Sequence, residues 1–312
     1  MDSFPSDSDG LIRRRLVVAG FGDDDGLARA VRDGSLIRVR RGSYTSVDTD
    51  PDALGRLQIL AAAGDAIIEK AVSHHSAAAL HGLDTLDDDS PPRGVHFSVR
   101  RANGGDTRTR LLHPTRWDPD EVVMIDDVLT TSIARTAVDI ARQGSWMSAL
   151  VVFDSALRLG VTKDDLRSVI QRSRGRTGVG AARAALPYAD GRAESVAESL
   201  SRGLIISFHD IPTPTLQHVI RDGDGRELFR LDFLWDKDRV VGECDGRRKF
   251  EQHLRPGESV ADRHWHAKER DEALMDLGLF PVHWGWRELM NPEKYHHRLV
   301  RAFDRAHRRF AA

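Results

Sequence analysis

One segment constrains this chain more than any other: Arg230-Leu231-Asp232-Phe233-Leu234-Trp235-Asp236-Lys237-Asp238-Arg239-Val240-Val241-Gly242-Glu243-Cys244-Asp245-Gly246. Two β-prone runs flank a polar turn, the pattern of a hairpin. A turn centred between Lys237 and Asp238 sets Asp232 opposite Glu243, with Cβ atoms about 4.5–5.5 Å apart. Strand residues two apart share a face, which adds Asp245, opposite Arg230. The other face carries Leu231, Phe233, Trp235, Val240 and Cys244, an apolar surface that can pack. Like charges facing one another destabilise a sheet. Such a carboxylate cluster is kept where a cation sits in it or a proton is shared. Hard divalent cations, Mg²⁺ or Mn²⁺, take oxygen ligands. A metal so held can activate water for phosphodiester hydrolysis. A turn shifted by one residue moves Asp232 out of line, so register is the test.

The flanks add to the pattern. Glu194 to Leu204 reads as a helix carrying Glu198. Downstream come Lys249-Phe250, Lys268-Glu269-Arg270-Asp271, Leu274, Gly278, a strand from Phe280 to Trp284, and Trp286. With these flanks the hairpin resembles the restriction-endonuclease-like (PD-(D/E)XK) superfamily. It resembles most closely the very-short-patch-repair-type domains, over roughly Glu194 to Leu289. The resemblance implies a Mg²⁺-dependent nuclease with Asp232, Glu243 and Asp245 as metal ligands and Glu198 tuning the site. Where the superfamily has a lysine two residues after the glutamate, this chain has Asp245. Lys249, or Lys268 on the following helix, is the candidate ammonium for the attacking water. The alternative is a degenerate nuclease fold whose acids are solvated residues of a strand edge.

The stretch from Lys249 to Arg270 also carries His253, His264 and His266. Histidine can serve as a general base near neutral pH. The spacing is irregular for zinc, and a solvated face or phosphate contact is the simpler reading. A last helix starts at Asn291 as N-cap with Pro292 behind it. Leu299, Phe303, Ala306 and Phe310 form its apolar stripe. Arg298, Arg301, Arg305 and Arg308 form a second. A row of guanidinium groups can track a phosphate backbone, or merely solvate a face and favour the helix C-terminus.

At the N-terminal end, Leu11, Leu16, Val17, Leu27, Ala30 and Val31 fit short helices around an acidic turn, Gly22 to Gly26. Then Gly34-Ser35-Leu36-Ile37-Arg38-Val39-Arg40-Arg41-Gly42-Ser43-Tyr44 alternates apolar and basic residues before a turn at Gly42. Helices followed by a basic hairpin resemble the winged-helix N-terminal domain of AbiEi-type antitoxins. That implies DNA contact through Arg38, Arg40 and Arg41, with Lys268, Arg298, Arg301 and Arg305 as further phosphate-binding candidates. A solvated hairpin is the alternative, since Asp23, Asp24 and Asp25 precede it.

Residues 52–186 show helices at Ala53 to Gly64 and, after Ser73, through Gly82. Strands are expected near Val95 to Arg100 and Val122 to Ile125. A capped helix over Thr131 to Asp139 sets Arg135 four residues before Asp139, a spacing that pairs. The region resembles the middle of the same antitoxin-like proteins. His74 and His81 lie near one helix face, but close packing of a small-residue helix explains them without a metal.

The chain is thus expected to be an α/β (multi-domain α+β) protein. A winged helix-turn-helix-like domain spans 1–50, an antitoxin-like middle domain 51–188 and a restriction-endonuclease-like domain 189–312. Lys plus Arg number 46 against 48 Asp plus Glu, a net charge of −2, so any nucleic-acid contact must be local. A single cysteine excludes a disulfide framework and a cysteine-rich zinc site. Residues 1–10 lack a signal-peptide pattern, and no apolar run approaches ~18 residues. A cytoplasmic protein without membrane contact is expected. Its expected partner is DNA, or a protein partner in a toxin–antitoxin or phage-defence setting. The rival to the nuclease is a DNA-binding regulator whose nuclease fold is inactive.

Overall fold

Apolar runs punctuated by glycine and acidic turns set the first elements. A computed structural model describes residues 4–64, 69–86, 94–100, 105–107, 109–245 and 260–310. Strand β1 (Ile12–Arg13) leads into α1 (Arg14–Phe21). Helix α2 (Asp24–Arg32) is capped by Asp23, whose carboxylate accepts the Gly26 amide at 2.8 Å. Strands β2 (Leu36–Arg40) and β3 (Ser43–Ser46) then form the expected hairpin, closed at Gly42 with φ 78°. The sheet order is β1-β3-β2. Ile12, Val17 and Leu27 form a small core with Leu36 and Tyr44 against it. Leu16, expected inside, is exposed, because Val17 takes the inward position of α1.

Helix α3 (Pro51–Ala63), strand β4 (Lys70–Val72) and helix α4 (His74–His81) follow. Next come β5 (Val95–Val99), β6 (Gly105–Thr107), β7 (Arg110–Pro114), β8 (Val122–Ile125) and β9 (Val128–Thr131), then α5 (Ile133–Gln143). The strands make a mixed sheet of order β6-β7-β5-β4-β9-β8. Leu11, Leu57, Leu60, Val72, Leu80, Phe97 and Val99 share one core. Arg135 does pair with Asp139, at 2.7 Å, and also with Glu121 at 2.7 Å. All three side chains are buried.

The remaining chain builds α6 (Trp146–Arg158), α7 (Lys163–Arg172), α8 (Val179–Ala185) and α9 (Val196–Ser207). Strands β10 (Thr215–Arg221), β11 (Glu227–Trp235) and β12 (Val240–Asp245) follow. Helix α10 (Val260–Asp276), strand β13 (Phe280–Gly285), the short α11 (Trp286–Leu289) and α12 (Pro292–Phe310) close it. The sheet order is β10-β11-β12-β13, antiparallel except for the parallel β12–β13 pair. Phe233, Trp235, Val240, Cys244 and Trp284 pack with Leu200, Tyr295, Leu299 and Phe303. Leu299, Phe303 and Ala306 of the α12 apolar stripe are therefore buried and Phe310 partly so, and Asn291 Oδ1 accepts the Lys294 amide at 3.0 Å.

By packing, the chain divides into two α+β units. One runs to Leu83 and resumes through Ile140; the other takes Asp84–Leu86 and everything from Ala141. The expected boundaries at 50 and 188 do not follow this division. Leu11 joins the α3 and β5 core, so the first 50 residues do not pack apart. In the second unit, Arg202 of α9 bonds both Asp154 oxygens on α6 at 2.7 Å, and the Asp190 amide bonds Asp154 Oδ1 at 2.7 Å. The break near Pro187 thus lies inside a packed body. Among the described residues, no helix is long and apolar enough to cross a membrane.

Candidate functional site

The acid site is built by the hairpin. The β11–β12 ladder pairs Trp235 with Val240, Leu234 with Val241 and Phe233 with Gly242. That is the expected register, and continued by one residue it sets Asp232 level with Glu243. Past the ladder, Asp232 Oδ2 accepts the Cys244 amide at 3.0 Å, so its carboxylate is tied to the neighbouring strand. Leu231 leaves the face expected for it and packs with Leu234, Val241 and Leu274. There β11 follows β10, pairing Leu231 with His218.

Two further groups bond these acids, and a third stands beside Glu243. Gln217 on β10 donates from Nε2 to Glu198 Oε2 at 3.0 Å and to Asp232 Oδ1 at 3.4 Å. Its Oε1 is buried without a hydrogen-bond partner, and its backbone sits at φ 50°, in the left-handed region. Such strain collects at functional sites. Arg270 on α10 donates from Nη2 to Glu243 Oε1 at 2.9 Å. His283 on β13 is in register with Glu243, and its Nε2 lies 2.9 Å from Asp271 Oδ1.

Glu198 is also a capping residue. Its amide bonds Ser195 Oγ at 3.2 Å, and its carboxylate accepts from Ser195 Oγ at 2.9 Å and the Glu194 amide at 2.9 Å. Burial raises its proton affinity above the ordinary carboxylate range, and Asp232 adds to this against those hydrogen bonds. Glu243 is raised likewise, first by burial and then by Asp232, while Arg270 opposes. Burial pushes the Cys244 thiol up to about 12, so it stays protonated and inert.

Asp245 lies two residues beyond Glu243, in register with Gly285. Among the described residues, no three carboxylates bring their oxygens within 4.8 Å of one another. Lys249 and His253 lie outside the described residues, as does the side chain of His264. Lys268 is exposed and pairs with Glu272 at 3.6 Å; His266 pairs with Glu269 at 3.4 Å. The cation that meets Glu243 is Arg270, two residues from Lys268, one of the two lysines the sequence offered. Lys268 and Arg270 are two residues apart, roughly 200° around α10, so only one of them can face the sheet. Gln217 and His283 carry no spacing signal, because sheet order alone brings them in.

The basic residues divide between the two units. In the first, Arg38, Arg40 and Arg41 line a cleft of about 660 Å³ together with Arg13, Arg14 and Arg15. Arg13 pairs with Asp7 at 2.9 Å and Arg14 with Asp24. Asp24, one of the three acidic residues weighed against DNA contact, thus holds Arg14. In the second unit, Arg301, Arg305 and Arg308 are exposed on α12, and Arg298 lies 3.7 Å from Glu288. The Arg13-Arg14-Arg15 run was legible in the sequence, but only the fold joins it to the hairpin.

No family model matches the chain. Over 251 residues it is 34% identical to an uncharacterized protein of Mycobacterium tuberculosis strain H37Rv, an alignment covering 80% of this chain and 84% of that protein. An uncharacterized protein of M. tuberculosis strain CDC 1551 matches equally, 34% over 251 residues with the same coverage.

Proposed function

The chain belongs to the family of these two mycobacterial proteins, and we propose that it is a DNA-processing protein of nuclease descent, a Mg²⁺-dependent DNA endonuclease. In this reading its second unit is a restriction-endonuclease-like domain. The observation that carries it is the bond from the Cys244 amide to Asp232 Oδ2, which ties that carboxylate to the strand of Glu243, with Gln217 linking Asp232 to Glu198.

The donor set fits a hard cation. Asp232, Glu243 and the unpartnered Gln217 Oε1 are all oxygen donors. A bound Mg²⁺ or Mn²⁺ would supply Lewis acidity and an activated water. Arg270 holds Glu243 in place and is itself a partner for a phosphate oxygen. Glu198 orients Gln217, and Asp245 stands one strand step from Glu243 on the same face. The test is plasmid nicking in Mg²⁺ or Mn²⁺ by the wild type, Asp232→Ala and Glu243→Ala. Nicking lost in both variants, with circular dichroism unchanged, supports the assignment. A wild type that leaves plasmid intact in either metal rejects it.

A second reading has its own observation. The six-arginine cleft of the first unit favours a DNA-binding regulator of antitoxin type, its nuclease fold inactive. That reading calls for duplex binding without divalent metal, abolished when the residues before about Asp50 are removed.

A further inference from the structure

We propose that His74, His96 and His113 form a binding site for a late divalent transition metal of the zinc class. The site lies in the first unit and uses none of the carboxylates discussed above. One ring nitrogen from each histidine lies within 4.8 Å of the other two. The three are far apart in sequence and are joined by topology. Parallel pairing of β5 with β7 puts Ser98 beside His113, and strand alternation puts His96 on that same face. His74 enters from the first residue of α4.

The geometry is close to what such a metal needs. His96 Nδ1 and His113 Nε2 are 3.0 Å apart. Two nitrogens at 2.0–2.1 Å from a tetrahedral zinc are separated by about 3.3 Å, so this edge is nearly in place. The His74 ring stacks on His113 with centroids 3.9 Å apart. His74 Nδ1 is engaged by Ser73 Oγ at 2.9 Å. Metal-bound imidazoles are oriented by such a bond on the second nitrogen, and the metal would take Nε2.

Two further observations point to a ligand. His74 sits at φ 52°, a left-handed conformation rare for a residue with a side chain. It is held there by the Ser73 amide on the His96 carbonyl at 3.0 Å and the His96 amide on Ser76 Oγ at 3.0 Å. Ser98 Oγ, fully buried and in register with His113, has no hydrogen-bond partner. A water in the fourth position of a three-histidine metal would supply one.

The donor type sets the metal class. Three imidazoles without a carboxylate suit zinc, copper, nickel or ferrous iron rather than Mg²⁺. Arg135, whose field disfavours positive charge at His74, is paired at 2.7 Å with both Glu121 and Asp139, whose carboxylates offset that field.

The test is titration of the full chain, stripped by chelator, with Co²⁺ and Zn²⁺ in excess Mg²⁺, which saturates oxygen sites and not imidazole ones. Visible absorption reads the Co²⁺ geometry and calorimetry reads Zn²⁺ affinity. One equivalent of Co²⁺ with the strong absorption of four-coordinate cobalt is expected. Affinity should fall by more than about 100-fold in His96→Gln and in the half-buried His113→Gln. Absence of stoichiometric uptake by the wild type overturns the proposal, a result that needs no variant to fold. Undiminished affinity in a variant carrying both His96→Gln and His113→Gln overturns it too.

Discussion

Arg270 Nη2 lies 2.9 Å from Glu243 Oε1 and 2.8 Å from the Arg230 carbonyl, so one guanidinium joins α10 to the acid edge of the sheet. This contact partly offsets the charge that Asp232 and Glu243 share across neighbouring strands. It leaves a carboxylate whose proton affinity is still above its ordinary value.

That shift has a definite sign. A carboxyl raised in the folded state binds its proton more tightly folded than unfolded. Stability therefore falls as pH rises from the ordinary carboxylate value to the folded one, and the loss is complete above it. Glu243→Gln should gain on the wild type through that window, as read by urea unfolding at a series of pH values. A difference between the two proteins that does not change with pH would falsify this. Arg270→Leu should raise the Glu243 titration further, visible by carboxyl-carbon NMR.

The Arg202–Asp154 pair decides where the second unit can be cut. A fragment 189–312 lacks both partners of the Arg202 guanidinium, the Asp154 carboxylate and the Tyr188 carbonyl, and uncovers the face of α9 that packs on α6. It also removes α6 from the core. We expect fragment 141–312 to unfold cooperatively and fragment 189–312 to be soluble only as a collapsed or aggregated chain, compared by thermal circular dichroism.

The buried Glu121–Arg135–Asp139 group behaves as a unit in the first half of the chain. Asp139→Ala leaves the Arg135 Nε–H without its acceptor while Glu121 still pairs the guanidinium, which should cost about 1–3 kcal/mol in denaturant unfolding. A loss under ~1 kcal/mol would mean that Glu121 alone suffices.

Two glycines separate rigid from yielding neighbours. A Cβ on Gly242 would run into the Trp284 ring, with Phe233 Cβ at 3.1 Å behind it. One on Gly203 would meet the flexible end of Met147. Gly242→Ala should lose about 1–3 kcal/mol or more, and Gly203→Ala distinctly less, in paired melts.

Arginine binding to phosphate releases counterions. If the six-arginine cleft holds duplex DNA, replacing Arg38, Arg40 and Arg41 by alanine should flatten the log affinity against log salt slope by about 2–3. Fluorescence anisotropy over a salt series measures this, and an unchanged slope would remove the cleft from the interface.

Local pattern made much of this legible. Alternation and a polar turn fixed the β11–β12 register, because a one-residue slip would bury Asp232 and expose Phe233. Asn291 and Pro292 marked the start of α12, and four-residue spacing paired Arg135 with Asp139. Harder to read were the helices α6 to α8, of which α6 packs onto α9 and α8 onto α6, and which carry the second unit back to Ala141. No turn chemistry near Pro187 distinguishes an inter-domain linker from a bend within a core.

The sequence by itself determined the elements, the facing acids and the basic hairpin, since those depend on residues near one another in the chain. Tertiary structure alone decided that Arg270 and not Lys268 meets Glu243, and that Gln217 bridges Glu198 to Asp232. It alone gathered Arg13, Arg14 and Arg15 with the hairpin, and His74 with His96 and His113. These groups meet through strand order and helix rotation, and neither is written in any local period.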